Sequence, residues 1–171
     1  AVAAVLVLAG IVVAATWMVR RSQRVARAKE AIAAAERLLE RHEYPEAFET
    51  ASAAAQVLPN DDRLRAVIAK TSMPAKIESD PPGATVYLER FKGKPGRILA
   101  GATPLSIERL ARADYVVTLE KPGFATAVRP LPLAPNFLRG WETPSQSSRV
   151  RARLVEAGRV PSGMVFVEGG T

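Results

Sequence analysis

Two groups of cations are the side chains here whose types and spacing suggest chemistry. Arg90, Lys92, Lys94 and Arg97 fall within eight residues beside Gly93 and Gly96. Arg149, Arg151 and Arg153 recur every second residue, which places them on one face of an extended strand. Such groups bind anions: lipid head groups, acidic polymers or the acidic surface of another domain. A solvated face is the plainer alternative for both. They are not a catalytic set. His42 is the sole histidine and there is no cysteine, so metal ligation and thiol chemistry have no constellation to work with. Its place near a predicted helix end gives His42 a surface role. Carboxylates stand singly along helix faces, where solvation accounts for them. No phosphate-cradling Gly-x-x-x-x-Gly-Lys loop, kinase loop or Gly-x-Ser-x-Gly turn occurs. No catalytic residue, cofactor or metal is expected. Nucleic acid is not an expected partner either, because no aromatic platform interleaves with the basic residues.

The elements that must carry these cations change character along the chain. Its 171 residues hold one or two small domains, with a net charge of +7 spread along the length. Residues 1–19 contain no charge. As a helix they would reach about 28 Å, close to the hydrocarbon thickness of a bilayer. Trp17 sits near the end of the run, and Arg20, Arg21 and Arg24 stop it. A signal-peptide core would be shorter and would carry its charges in front. A transmembrane helix is therefore expected over 1–19. Gly10 and Ala14 have the small-xxx-small spacing that lets two such helices approach, or they are incidental to an alanine-rich run. Arg20, Arg21, Arg24, Arg27 and Lys29 precede the first acid, and by the positive-inside rule they favour the cytoplasmic side.

From Val25 the pattern is helical, rich in Ala, Glu, Arg and Leu. Breaks at Glu43-Tyr44-Pro45 and Pro59-Asn60-Asp61 predict a first helix to about His42, a second to about Val57 and a third from Asp61 to about Lys70. At Ala75 the period becomes two. Ile77, Val86 and Leu88, then Tyr115, Val117 and Leu119, then Val150, Ala152 and Leu154 alternate with polar or less buried neighbours. Turn residues separate them, so several short antiparallel strands of a sandwich or barrel are expected. Pro82, Gly83, Ala84, Gly101, Thr103, Pro104, Tyr115, Lys121, Gly123 and Phe124 punctuate that stretch. Most have a structural role: Gly83 and Gly123 open turn conformations, and Pro82 and Pro104 fix φ. Two longer excursions interrupt it, at Glu89–Ala100 and at 134–147. The second carries Phe137 and Trp141, the latter read as a packing anchor.

Three resemblances follow from these residues. Ala34, Ala35, Leu38, Tyr44, Ala47, Ala51, Ala54 and Pro59 resemble one tetratricopeptide (TPR) repeat, with Ala31 where the first aromatic would stand. One repeat alone implies a spacer or docking piece rather than a peptide groove. Pro82-Gly83-Ala84, Gly101-x-Thr103-Pro104 and Tyr115 through Lys121-x-Gly123-Phe124 resemble the PEGA domain, a bacterial extracytoplasmic β module. Pro161-x-Gly163-Met164-Val165-Phe166-Val167-x-Gly169-Gly170 resembles the first strand of the formylglycine-generating enzyme/sulfatase-modifying family. The order of these pieces is similar to that in bacterial membrane serine/threonine kinases, which implies that the part after Val19 lies outside the cytoplasm, against the local charges.

The expected architecture is α+β and multidomain: a transmembrane helix (1–19), a TPR-like α-hairpin unit (20–74), a small all-β PEGA-like sandwich (75–156), and a linker with the start of a further domain (157–171). The expected function is that of a non-catalytic anchor and extracytoplasmic interaction or spacer region in a single-pass membrane protein. Membrane lipid, envelope polymer or a neighbouring domain would be its partners. An accessory region of a membrane-tethered formylglycine-generating-enzyme relative and a cytoplasmic membrane-attached scaffold are the alternatives. Residues before Ala1 separate the first two, and membrane topology separates the third.

Overall fold

The structure, a computed structural model, describes residues 2–93, 96–134 and 148–159, with side chains from Val12 onward. The expected strand at 161–170, Lys94, and loop residues 135–147 with Phe137 and Trp141 lie outside the described residues. Two compact units divide the chain between Thr71 and Ser72.

The first unit contains α1 (Val2–Glu40), α2 (Tyr44–Ala55) and α3 (Asp62–Thr71). The expected apolar span and the expected first helix are one continuous α1 of 39 residues. The reason is local: apart from Gly10 every residue through the arginines is a tolerable helix former, and neither Pro nor a cap interrupts it. Among the described residues no helix is long and apolar enough to cross a membrane. The side chains of residues 1–11, more than half of the uncharged run, are outside those described.

Ala28, Ile32 and Ala35 recur on one face of α1 and meet Ala47, Ala51 and Ala54 of α2 and Leu64, Val67 and Ile68 of α3 in one buried cluster. The alanines make the seam narrow, and Ile32, Leu64, Val67 and Ile68 supply most of its apolar bulk. Pro45 sits in the first turn of α2, where its missing N–H has no intrahelical partner to lose. Asp61 caps α3: its Oδ1 accepts from the N–H groups of Arg63 and Leu64, at 3.0 and 3.1 Å. Across the surface Arg63 Nε donates to Glu36 Oε1 at 2.7 Å. That hydrogen bond and the guanidinium charge lower the Glu36 pKa and raise that of Arg63.

His42 has a specific place in this unit. It adopts φ 61°, the left-handed region, directly after α1. The His42 N–H donates to the Leu39 carbonyl and the Glu43 N–H to the Leu38 carbonyl, both at 3.0 Å. This pair of bonds is a Schellman closure with histidine at the position glycine usually takes. The ring stacks on Tyr44, centroids 5.9 Å apart. His42→Gly is expected to stabilise the helical unit by about 1 kcal/mol, since left-handed backbone costs a residue with a Cβ that much. Urea unfolding followed at a helical wavelength checks it. An unchanged or lower midpoint would show that the stack on Tyr44 offsets the backbone cost.

The second unit is a two-sheet sandwich. Its strands are β1 (Ser72–Asp80), β2 (Thr85–Arg90), β3 (Ile98–Ala102), β4 (Leu105–Ala111), β5 (Asp114–Glu120), β6 (Ala127–Pro132) and β7 (Arg149–Arg153). One sheet has the order β4-β1-β7 and the other β3-β2-β5-β6. The residues singled out by period two are the ones that pack. Ile77, Val86, Val117, Leu119 and Ala152 are fully buried, and Leu88, Tyr115, Val150 and Leu154 nearly so. Tyr115 carries its hydroxyl inward and donates to the Ala111 carbonyl at 3.1 Å.

One pairing departs from the expected antiparallel pattern. β7 runs parallel to β1, in register from Lys76↔Arg149 to Asp80↔Arg153. A parallel neighbour cannot be joined by a tight turn, and here the whole of β2–β6 lies between β1 and β7. A short 3-10 turn, Ala157–Arg159, follows.

Candidate functional site

The three separated motifs converge at one end of the sandwich, where Thr103 joins the first two and Lys121 ties in the third. Its side chain is buried. The Ala84 N–H donates to Thr103 Oγ1 at 3.0 Å. Thr103 Oγ1 and Ser79 Oγ lie 2.5 Å apart. Ser79 Oγ in turn donates to the Pro81 carbonyl at 2.8 Å. Since Thr103 accepts from Ala84 and Ser79 donates onward, the Thr103 hydroxyl is the donor between them. Main-chain bonds reinforce the join: Gly83 N–H to the Thr103 carbonyl and Thr103 N–H to the Ala84 carbonyl, both 2.9 Å. The third motif arrives through Lys121, whose Nζ donates to the Pro82 carbonyl at 2.7 Å. Gly83 has φ +85°, and a Cβ there would come within 3.2 Å of Lys121 Nζ. Gly123 has φ +83° in the turn before Phe124. Phe124 forms an isolated bridge with Glu156, beyond β7. All the motif residues except Tyr115, which packs in the core, therefore lie in or beside turns that close this end of the sandwich.

The cations have separate fates. Arg97 lies flat on the outer face of its sheet, with its guanidinium carbon 3.7 Å from the centre of the Tyr87 ring. Its Nη2 is 2.5 Å from Glu120 Oε1. This stacked, paired geometry suits the planar guanidinium and holds it against the sheet. Arg90 ends β2 and is half-buried, and Lys92 is exposed in the hairpin. Arg149, Arg151 and Arg153 are exposed along β7, between buried Val150 and Ala152. Arg151 reaches back to Glu78, Nη2 to Oε2 at 3.2 Å. The structure thus puts the three arginines on one strand face, with one of them engaged by an acid on the neighbouring strand.

A half-open cleft of about 570 Å³ lies by the end of β7, between Asp80, Pro81, Phe124, Arg153, Glu156 and Arg159. Its two acids balance its two arginines, and Arg159 pairs with Glu156 at 3.4 Å. Among the described residues no group of acids and histidine could hold a metal ion.

One feature escaped the sequence reading. Phe91, Ile98 and Leu99 are 71, 67 and 64 % exposed, all on the hairpin between β2 and β3. The available signal was an aromatic set between Arg90 and Lys92, and two aliphatics directly after Arg97.

The β unit is thus a two-sheet sandwich with a buried polar junction at one end and arginines along an edge strand. Residues 74–136 match the family model of the PEGA domain. A PEGA domain is therefore present in this chain, and it is a non-catalytic module. No curated protein matches the chain. β7 lies beyond the matched residues yet completes the three-stranded sheet.

Proposed function

We propose that these residues form the membrane anchor and extracytoplasmic stalk of a bacterial receptor-like serine/threonine kinase, with the PEGA domain contacting envelope material or positioning a domain that follows. The observation that carries this reading is the end-to-end order of the chain. An uncharged run at 1–19 is followed without a helix break by arginines, then an alanine-seamed helical unit, then the PEGA domain. The helical unit, TPR-like in its spacing, is a spacer: its small residues are spent on packing α1 against α2. The PEGA motifs are spent on turn closure, so ligand contact falls to the cationic hairpin and to β7. Accessory service to a membrane-tethered formylglycine-generating-enzyme relative is a second reading, favoured by the sequence of 161–170.

Membrane topology tests the proposal. The chain has no cysteine, so Ser145→Cys provides a single label site. A membrane-impermeant maleimide is expected to label it in intact cells. Labelling only after lysis would overturn the stalk and favour a cytoplasmic membrane-attached scaffold, with Arg20 to Lys29 on anionic lipid.

A further inference from the structure

We propose that the hairpin between β2 and β3 is a bilayer-contact element for anionic lipid, with Phe91, Ile98 and Leu99 as the inserting side chains. This deepens the membrane-attached reading above and rests on it. Folding normally hides such residues. Here three large apolar side chains, each about two-thirds exposed, gather on one hairpin. Leu99 stands at the end of a row that crosses the outer face of the sheet, while Ile98 faces the other way on the edge strand β3. The strand register aligns Leu99 with Tyr87, Tyr87 with Thr118, and Thr118 with Val128, which is itself 51 % exposed.

Charge selects the occupant. Among the described residues, 90–93 and 96–107 contain three basic side chains, Arg90, Lys92 and Arg97, and no acid. The carboxylates beside the hairpin are Glu89, Asp114, whose carbonyl accepts from the Phe91 N–H and whose Oδ1 accepts from the Ala134 N–H, and Glu120, which Arg97 already holds. Lys92 is exposed next to Phe91. Apolar side chains flanked by cations match the two layers of an anionic bilayer surface, acyl chains beneath phosphate. A second copy of this chain would bring like charges together. The cleft by β7 is a weaker candidate because its charges cancel within it.

The test uses the full chain with Leu99→Cys carrying an environment-sensitive fluorophore. Vesicles are phosphatidylcholine alone or an equimolar mixture with phosphatidylglycerol. The expected result is a blue-shifted label, quenched by nitroxide lipids, on the anionic vesicles. About 1 M salt, where the screening length is about 3 Å, reverses it. Lys92→Gln is expected to reduce the bilayer-facing fraction about fivefold. Phe91→Ser should reduce it on the order of tenfold. Both variants are checked for an unchanged circular dichroism spectrum.

A chain that floats with vesicles while its label stays water-exposed overturns the hairpin proposal and leaves the anchor standing. A chain that does not float overturns both. Equal shifts on the two vesicle types overturn the preference for anionic lipid. A shift without lipid that grows with protein concentration assigns the patch to a second copy and overturns the proposal.

Discussion

Ending the chain at residue 147 is expected to abolish cooperative folding of the β unit and to leave the helical unit folded. The truncation removes β7, which lies outside the residues matched by the PEGA family. It takes Val150 and Leu154, now 5 and 6 % exposed, out of the core. Burying two residues of that size is worth about 3–6 kcal/mol. The fully buried Ile77 of β1 loses the strand beside it. The polar loss is comparable in kind. Besides the ladder to β1, the Leu154 N–H donates to the Asp80 carbonyl at 2.7 Å. The Ala125 N–H donates to the Val155 carbonyl at 2.8 Å, and the Ala157 N–H to the Gly123 carbonyl at 3.0 Å. A small domain has only about 5–15 kcal/mol in total, so the loss takes most or all of it. Hydrogen exchange read separately in the two units checks this. Protection of β5 amides should collapse while that of α2 persists. Persistent protection in β5 would show that the core around Val117 and Leu119 stands without the third strand of the opposite sheet.

Thr103→Val is expected to cost the β unit about 1–3 kcal/mol, the penalty for leaving a buried donor unmatched. The substitution keeps the shape and removes only the hydroxyl. Ala84 is fully buried, so its N–H has no water to turn to when Thr103 Oγ1 is gone. Ser79 keeps its bond to the Pro81 carbonyl but loses the one from Thr103. Thr103→Ser restores the oxygen and should recover most of the loss. Urea unfolding reads the result as a lower midpoint with an unchanged slope. A Val variant as stable as the Ser variant would mean that the main-chain pair between Thr103 and Ala84 suffices to hold the turn.

These two experiments probe different kinds of knowledge about the chain. The fall of apolar residues at period two, from Ile77 through Val86 and Leu88 to Leu119, determined which side chains are buried. The helix breaks at Pro45 and Asp61, and the turn positions at Gly83 and Gly123, were equally legible. Each depends on a backbone preference or a period that neighbouring residues carry among themselves. The PEGA domain was legible for the same reason, because its motifs are runs of turn residues.

Tertiary structure alone decided what those local pieces meet. Period two says which face of a strand is apolar but not which strand lies beside it, so the parallel seat of β7 on β1 was invisible. Thr103 reads as a turn residue, and its role as the buried junction of two motifs needs Ser79 and Ala84 brought to it. Arg97 reads as a cation for ligands, whereas Tyr87 and Glu120 take it up once β2, β3 and β5 are aligned. The left-handed turn at His42 follows from how α1 must end before α2 can pack, and a histidine after a helical run does not by itself announce it. Spacing along a chain records local geometry, while partners distant in sequence are chosen by the closure of the whole fold.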